Sequence, residues 1–287
     1  MQQNADAHQS RSSIAKRRAG KRAKVAASRK ANDRPKKPFR FLDLPAELRD
    51  QIYELALTDD ALALVSRTKG YRRTVARGLI SEELPGAYYK RRIRRRDDAF
   101  HAQQSQSQGN EGPHPPRALI PALLAVNQQI HSEAVGFLYQ QPITLEDTYA
   151  LHSFLATIGS NRPRLTDITV RGWGNGRGTH KAMNFTAFTL LADCINLKIV
   201  SLDCQIGWLR KPKNLARQVY RDTHFFLEGY GAAHGRRDAA VDLLELNDWN
   251  YDKANGHWYA RLEDLPDVAG FKGAFHEELR SLLESRK

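Results

Sequence analysis

The sequence predicts an α/β fold of the α+β kind, with a helical N-terminal region ahead of a series of helix–strand units. Two observations carry this. Three windows share the spacing L-x-x-L-x-L: Leu165, Ile168 and Val170; Leu197, Val200 and Leu202; Val241, Leu244 and Leu246. Each is short, apolar and bounded by turn residues, as a buried strand is, and each follows a longer stretch of helical periodicity. The second observation is LPAELRDQIYELAL at residues 44–57, where Leu44, Leu48, Ile52 and Leu55 recur one helical turn apart.

In that first helix Pro45 suits the opening turn, where a missing N–H costs nothing, and Glu47 lies near the positive end of the helix dipole. Pro45, Tyr53 and Leu57 fall beside the leucine stripe, so the helix is apolar over more than one face. One face is expected to pack at home while Pro45 and Tyr53 help to offer the other to a partner. Ala61 to Ser66 reads as a short strand or a helical extension. Farther on, Leu123, Val126, Ile130, Ala134 and Phe137 step along one face of a second helix, with Pro121 in its first turn and His131 and Glu133 on its surface.

These two stretches carry a resemblance. LDLPAELRDQIYELAL, residues 42–57, is similar to the opening helix of the F-box, marked by Leu-Pro-x-Glu-Leu and then an apolar Ile and Leu. Residues 123–139, LLAVNQQIHSEAVGFLY, match the form LLxVNxxIxxEAxxxLY. The ordered pair resembles the F-box-like motifs of a large set of uncharacterised fungal proteins. That resemblance implies a docking helix for a Skp-type linker and a cullin ubiquitin ligase, with contacts at Leu44, Pro45, Leu48, Ile52 and Leu55. The two motifs stand farther apart here than in a standard F-box, an insertion whose loop entropy is small.

The net charge of +13 and the pI near 9.8 are unevenly placed. Residues 1–37 hold 12 Lys/Arg against 2 acids, and residues 67–96 hold 11 against 2, so the rest of the chain is mildly acidic. Residues 1–37 lack aromatics and read as a disordered basic arm. Its Lys16, Arg17, Arg18, Lys21, Arg22 and Lys24 fit an import signal, a loose nucleic-acid contact or a solubilising tail equally well. A mitochondrial transit peptide fits less well, because no apolar face is evident. Residues from about 67 to 117 read as a flexible insertion, rich toward its end in Gln, Ser, Gly and Pro. Within it Lys90, Arg91, Arg92, Arg94, Arg95 and Arg96 form a cationic run beside two tyrosines, suited to phosphates or to solvent.

From Ile143 onward the windows set the expectation. ITLED at residues 143–147 is the first strand of an irregular leucine-rich-repeat-like α/β array, its parallel strands joined by helices within residues 148–159, 184–195 and 214–230. Asn255-Gly256 between aromatic-rich runs marks a hairpin. Phe271, Phe275, Leu279 and Leu282 then give a helix that caps the array. The expected division is thus a basic arm (1–37), an F-box-like helical region (38–140) and an α/β domain (141–287).

Little in the sequence supports chemistry. In RGWGNGRGTH, residues 171–180, the glycines alternate strictly, so neither a dinucleotide fingerprint nor a P-loop is present. Trp173 and Trp208 each follow a strand, at one edge of the array; exposed, they suit a target contact, and buried, they are core. No zinc-type His/Cys spacing and no nucleophile elbow occurs, so no enzyme, metal or cofactor is expected. Cys194 and Cys204, without a Cys-x-x-Cys, read as packed thiols in a reducing compartment, nucleus or cytoplasm. The polar start reads as no secretory signal, no run is apolar enough for a membrane span, and a mean hydropathy of −0.60 points to sizeable solvated segments. The expected function is an F-box-like adaptor that holds an unknown protein target for a ligase. The alternatives are a nuclear protein that binds nucleic acid weakly through its basic segments, and a scaffold without a ligase.

Overall fold

The computed structural model describes residues 39–59, 62–80, 118–174, 179–207, 211–251 and 267–285. Two compact units result, Met1–Arg49 and Asp50–Lys287, with the boundary inside the first helix, α1 (Ala46–Leu57). Within the first unit the Arg49 guanidinium donates to the Leu44 carbonyl at 2.7 Å, closing the turn that leads into α1.

The second unit is built on a six-stranded mixed sheet in the order β2-β1-β3-β4-β5-β6. Its strands are β1 (Leu62–Lys69), β2 (Arg72–Arg77), β3 (Ile143–Leu145), β4 (Asp167–Val170), β5 (Ile199–Leu202) and β6 (Leu244–Leu246). β2 pairs antiparallel with β1, and every other pairing is parallel. Each parallel strand lies beside its predecessor and returns through a helix: α2 (Gln128–Tyr139), α3 (Thr148–Ile158), α4 (Thr179–Leu191) and α5 (Pro212–Ala233). α6 (Val268–Glu284) closes the series against α5.

The last two positions of each window lie in β4, β5 and β6 in register, the first position lies just ahead of the strand, and all nine apolar residues are buried. Ile168, Val170, Val200, Leu202, Leu244 and Leu246 form the inner face of the sheet with Leu62, Leu64, Ile143 and Leu145, and it packs on α3 to α6 around Leu151, Phe188, Phe226 and Phe275. Burial of this kind is worth about 25 cal/mol per Å² and is the main force holding the array. In α6 the fourth core position is Leu283, with Leu282 half-buried, because Phe275, Leu279 and Leu283 keep the four-residue step.

Several expected boundaries move. Residues 67–77 are not insertion but most of a β-hairpin, and Ala61-to-Ser66 lies mainly in its first strand. β1, not Ile143–Asp147, is therefore the first parallel strand. The reason is tertiary: Leu62 and Leu64 face the core, while β1 pairs with β3 on one side and β2 on the other. The same pairing crosses the expected division at 140/141, since strands from both sides of it share one sheet. The later part of the insertion, from residue 81, and the Asn255-Gly256 hairpin lie outside the described residues, as does the basic arm.

The hairpin turn is made by Gly70 and Tyr71 between the paired Lys69 and Arg72. Both central residues have positive φ, 53° and 65°, the signature of a two-residue I′ turn. Glycine takes that conformation freely, whereas a tyrosine there costs about 1–2 kcal/mol.

α1 and α2 carry a small core of their own. Tyr53, Leu57, Ile130, Ala134 and Val135 are buried yet lie outside the main cluster. The expected face of the second motif is interrupted, for Asn127 adopts an extended conformation and its side chain accepts from the Ile130 N–H at 2.8 Å. That cap starts α2, leaving Pro121–Ala125 as a separate 3₁₀ turn and Val126 exposed rather than in the core.

Candidate functional site

Three places among the described residues have the character of a functional surface, and the helix of the first motif is the strongest. Tyr53 and Leu57 turn inward and are completely buried. Tyr53 lies 6.0 Å from the Phe137 ring and donates its hydroxyl to Glu133 Oε2 at 2.8 Å. Leu48, Ile52 and Leu55 are instead left 45%, 36% and 57% exposed. The expectation for Tyr53 is thereby corrected: it is a core residue, unable to touch a partner. Glu133 follows it, since the half-buried carboxylate also accepts from Gln129 Nε2 at 3.0 Å. Pro45 is exposed and Leu44 half-buried.

One side chain fixes how α1 and α2 meet. The buried Gln141 donates through Nε2 to the carbonyls of Leu57 and Leu138, both at 2.9 Å, and its Oε1 accepts from the Asp59 N–H at 2.9 Å. It thus ties together backbone groups that the C-terminal ends of two helices leave without intrahelical partners. Arg77 adds an ion pair to Asp59 from β2. The sequence carries no signal for Gln141, because a glutamine just past the second motif looks like any loop residue. Ile120, 57% exposed, lies against the last turn of α1 and donates its N–H to the Ala56 carbonyl at 2.8 Å.

The second place is the sheet face away from the helices. Register sets Thr144, Thr169, Ser201 and Glu245 in one row across β3 to β6. Just past the strand ends, Arg171 pairs with Asp203 at 3.0 Å, and Asn247 Nδ2 donates to Asp203 Oδ1 at 2.6 Å. The row is polar, and its Thr144, Thr169 and Ser201 are short-chained, so these three offer hydrogen bonds with little ordering entropy. The third place is an aromatic patch on α4 and α5, where the rings of exposed Phe185 and Phe225 lie 5.5 Å apart beside His224.

The turns that follow β3 and β4 touch closely at Gly172. A Cβ at Gly172 would meet the Glu146 carbonyl oxygen at 2.7 Å and Asp147 Cβ at 2.9 Å, so only glycine lets these two turns touch. Trp173 is 3% exposed and packs 5.6 Å from the Phe188 ring. It is therefore core, not a target contact; it follows the inward-facing Val170, and the close turn at Gly172 folds it back onto the helices. Trp208, Lys90 to Arg96, Lys16 to Lys24 and residues 175–178 of the glycine-rich stretch lie outside the described residues. Among the described residues no cluster of His, Cys, Asp and Glu could hold a metal ion, and no helix is long and apolar enough to cross a membrane.

Both cysteines are buried free thiols. Burial, reinforced by Asp193 and opposed by Arg162, pushes the Cys194 thiol up to about 12; burial and Asp203 push Cys204 higher still. A raised folded-state pKa favours the native protein below the unfolded thiol range and loses that advantage as the pH climbs toward the folded value. Stability is thus expected to fall from about pH 8.5 upward, where unfolded thiols ionise. Native protein treated with iodoacetamide at pH 8 should gain no mass within the time that urea-unfolded protein gains two adducts. Rapid native labelling of either thiol would contradict the burial.

With this geometry in place, comparison with known proteins adds one finding. The family model described as domain of unknown function DUF7730 matches residues 34–168, from just before α1 into β4. No curated protein and no solved structure matches the chain.

Proposed function

We propose that this protein is a non-catalytic interaction adaptor: α1 docks on a Skp-type linker of a cullin ubiquitin ligase, and the α/β region holds a target protein. The observation that carries the reading is the exposure of Ile52 and Leu55 on a helix whose Tyr53 and Leu57 are wholly buried. Leu48, one turn earlier on the same helix, adds a third exposed apolar side chain. Apolar side chains held rigid by a packed opposite face bind at low entropic cost, and their burial is worth about 25 cal/mol per Å². Further support is the Leu-Pro-x-Glu-Leu opening of residues 44–48. For the target, the Thr144–Glu245 row is the better-suited surface, since Trp173 is withdrawn into the core. Two free thiols fit a reducing compartment, nucleus or cytoplasm.

The test is capture of the purified full chain by a Skp-type linker, with thermal melts alongside. An Ile52→Asp, Leu55→Asp variant should lose at least tenfold in affinity, equivalent to about 1.4 kcal/mol, while its melting temperature stays near that of the parent. Failure of the unmodified protein to bind the linker, or equal binding by the variant, would refute the ligase reading.

A further inference from the structure

The most cationic stretch among the described residues is neither of the runs conspicuous in the sequence but the hairpin β1–β2. Residues 62–77 contain Arg67, Lys69, Arg72, Arg73 and Arg77 and no acid. Register places Arg67 opposite Thr74 and Lys69 opposite Arg72, so Arg67, Lys69 and Arg72 share one face of the ribbon near its tip. Among the described residues no acid pairs with any of the three. Arg73 is on the other face, its guanidinium 4.0 Å over the Tyr149 ring of α3. That cation–π contact anchors the ribbon, and Arg77 anchors its base through Asp59. The tip is therefore presented from a fixed root.

At the tip stands Tyr71, completely exposed and in the left-handed conformation that a tyrosine rarely adopts. Among the described residues nothing rewards it, because the fully exposed ring has no neighbour to pack on there, and a strained exposed aromatic beside three cations that no described acid pairs is a feature to explain by binding.

We propose that the tip of this hairpin contacts single-stranded nucleic acid, with Tyr71 stacking on an unpaired base while Arg67, Lys69 and Arg72 neutralise the flanking phosphates. The chemistry separates this ligand from its competitors. An acidic peptide satisfies the cations but gives the ring no π-face. A duplex hides its base faces in the stack, so one tyrosine reaches them only by unstacking a step. An unpaired strand offers base faces and phosphates together, and base–aromatic stacking tolerates any sequence. Same-face cations two residues apart lie about 6.6 Å from one another along the strand, which spreads them over successive phosphates.

The full chain is titrated against a fluorescent oligothymidylate of about 20 nucleotides, a mixed-sequence duplex of the same length and a glutamate-rich peptide, between about 50 and 200 mM salt. Tyr71→Asn removes the ring yet keeps a residue that tolerates the left-handed turn, so it should weaken oligothymidylate binding about tenfold without lowering the melting temperature. Tyr71→Phe should bind like the parent. The combined Arg67→Gln, Lys69→Gln, Arg72→Gln variant should flatten the slope of log K against log salt by about 2. Undiminished binding by Tyr71→Asn overturns the proposal. So does tighter binding of the duplex or the peptide than of the single strand.

Discussion

Tyr53→Ala should lower the unfolding free energy by about 3–5 kcal/mol, the range for truncating a buried aromatic side chain to a methyl group. The ring is completely enclosed, packs against Phe137 and belongs to a small cluster, with Leu57, Ile130, Ala134 and Val135 its other buried members among the described residues. A core that small cannot collapse around the cavity, because Gln141 pins the ends of both helices through their backbone carbonyls. Tyr53→Phe keeps the ring and loses only the hydroxyl donated to Glu133, so about 1 kcal/mol is expected; Glu133 retains Gln129 as a donor. Ile52→Ala and Leu55→Ala, on the exposed side, should stay within about 0.5 kcal/mol of the parent. Urea titrations followed by circular dichroism measure all four. If Ile52→Ala cost as much as Tyr53→Ala, the inward and outward faces of α1 would be assigned the wrong way round. The order also fixes which residues report docking: Ile52 and Leu55 do, and Tyr53 reports folding.

The difference between the two faces shows how far the sequence could be read. Periodicity located α1, but Leu48, Ile52, Leu55, Tyr53 and Leu57 are all apolar, and a helix apolar over two faces does not say which one is covered. The covering came from α2, whose packing depends on the Asn127 cap and on the single side chain of Gln141. The asparagine marks a helix start but not what the helix covers, and the glutamine leaves no pattern. The array was far more legible, since a parallel strand buried on its inner face repeats Leu-x-Leu in register with its neighbours. Leu165, Leu197 and Val241, each two or three residues ahead of a strand, mark the same point in successive units and are all buried. The hairpin was the hardest to see. Its composition, RTKGYRR, is that of a solvated loop, and only pairing of β1 with β3 and anchoring of Arg73 on Tyr149 make it a ribbon. The polar links between units were equally hidden, because hydrogen-bonded side chains inside a helix look like exposed ones.

Asn184 is the centre of those links, and Asn184→Ala should cost about 3 kcal/mol. It is wholly buried in α4, where its Oδ1 accepts from the Thr148 hydroxyl of α3 at 3.0 Å and from the Gly174 N–H at 2.9 Å. Its Nδ2 donates to the Gly174 carbonyl at 3.2 Å and to Asp222 Oδ2 of α5 at 3.4 Å. One amide therefore joins three successive helices to the turn that follows β4. Alanine leaves the buried Thr148 hydroxyl and the half-buried Gly174 N–H without this acceptor, at about 1–3 kcal/mol for each group left unsatisfied, with partial relief as water enters. Asp222 is hurt less, because Arg221 still grips both carboxylate oxygens, at 2.7 and 3.0 Å. Asn184→Asp separates charge from shape: it keeps the acceptor but sets a second carboxyl against Asp222. Like charges at that distance raise the pKa of one of the pair, so the carboxyl stays protonated at low pH and is forced to ionise as the pH rises. This variant should be nearly as stable as the parent near pH 5 and fall behind it toward pH 8, because a raised folded-state pKa withdraws stability as the pH increases. Denaturant midpoints at the two pH values provide the comparison, and amide exchange at Gly174 gives the local readout. An Asn184→Ala protein with parental stability and a protected Gly174 amide would show that the turn is held by something other than this network.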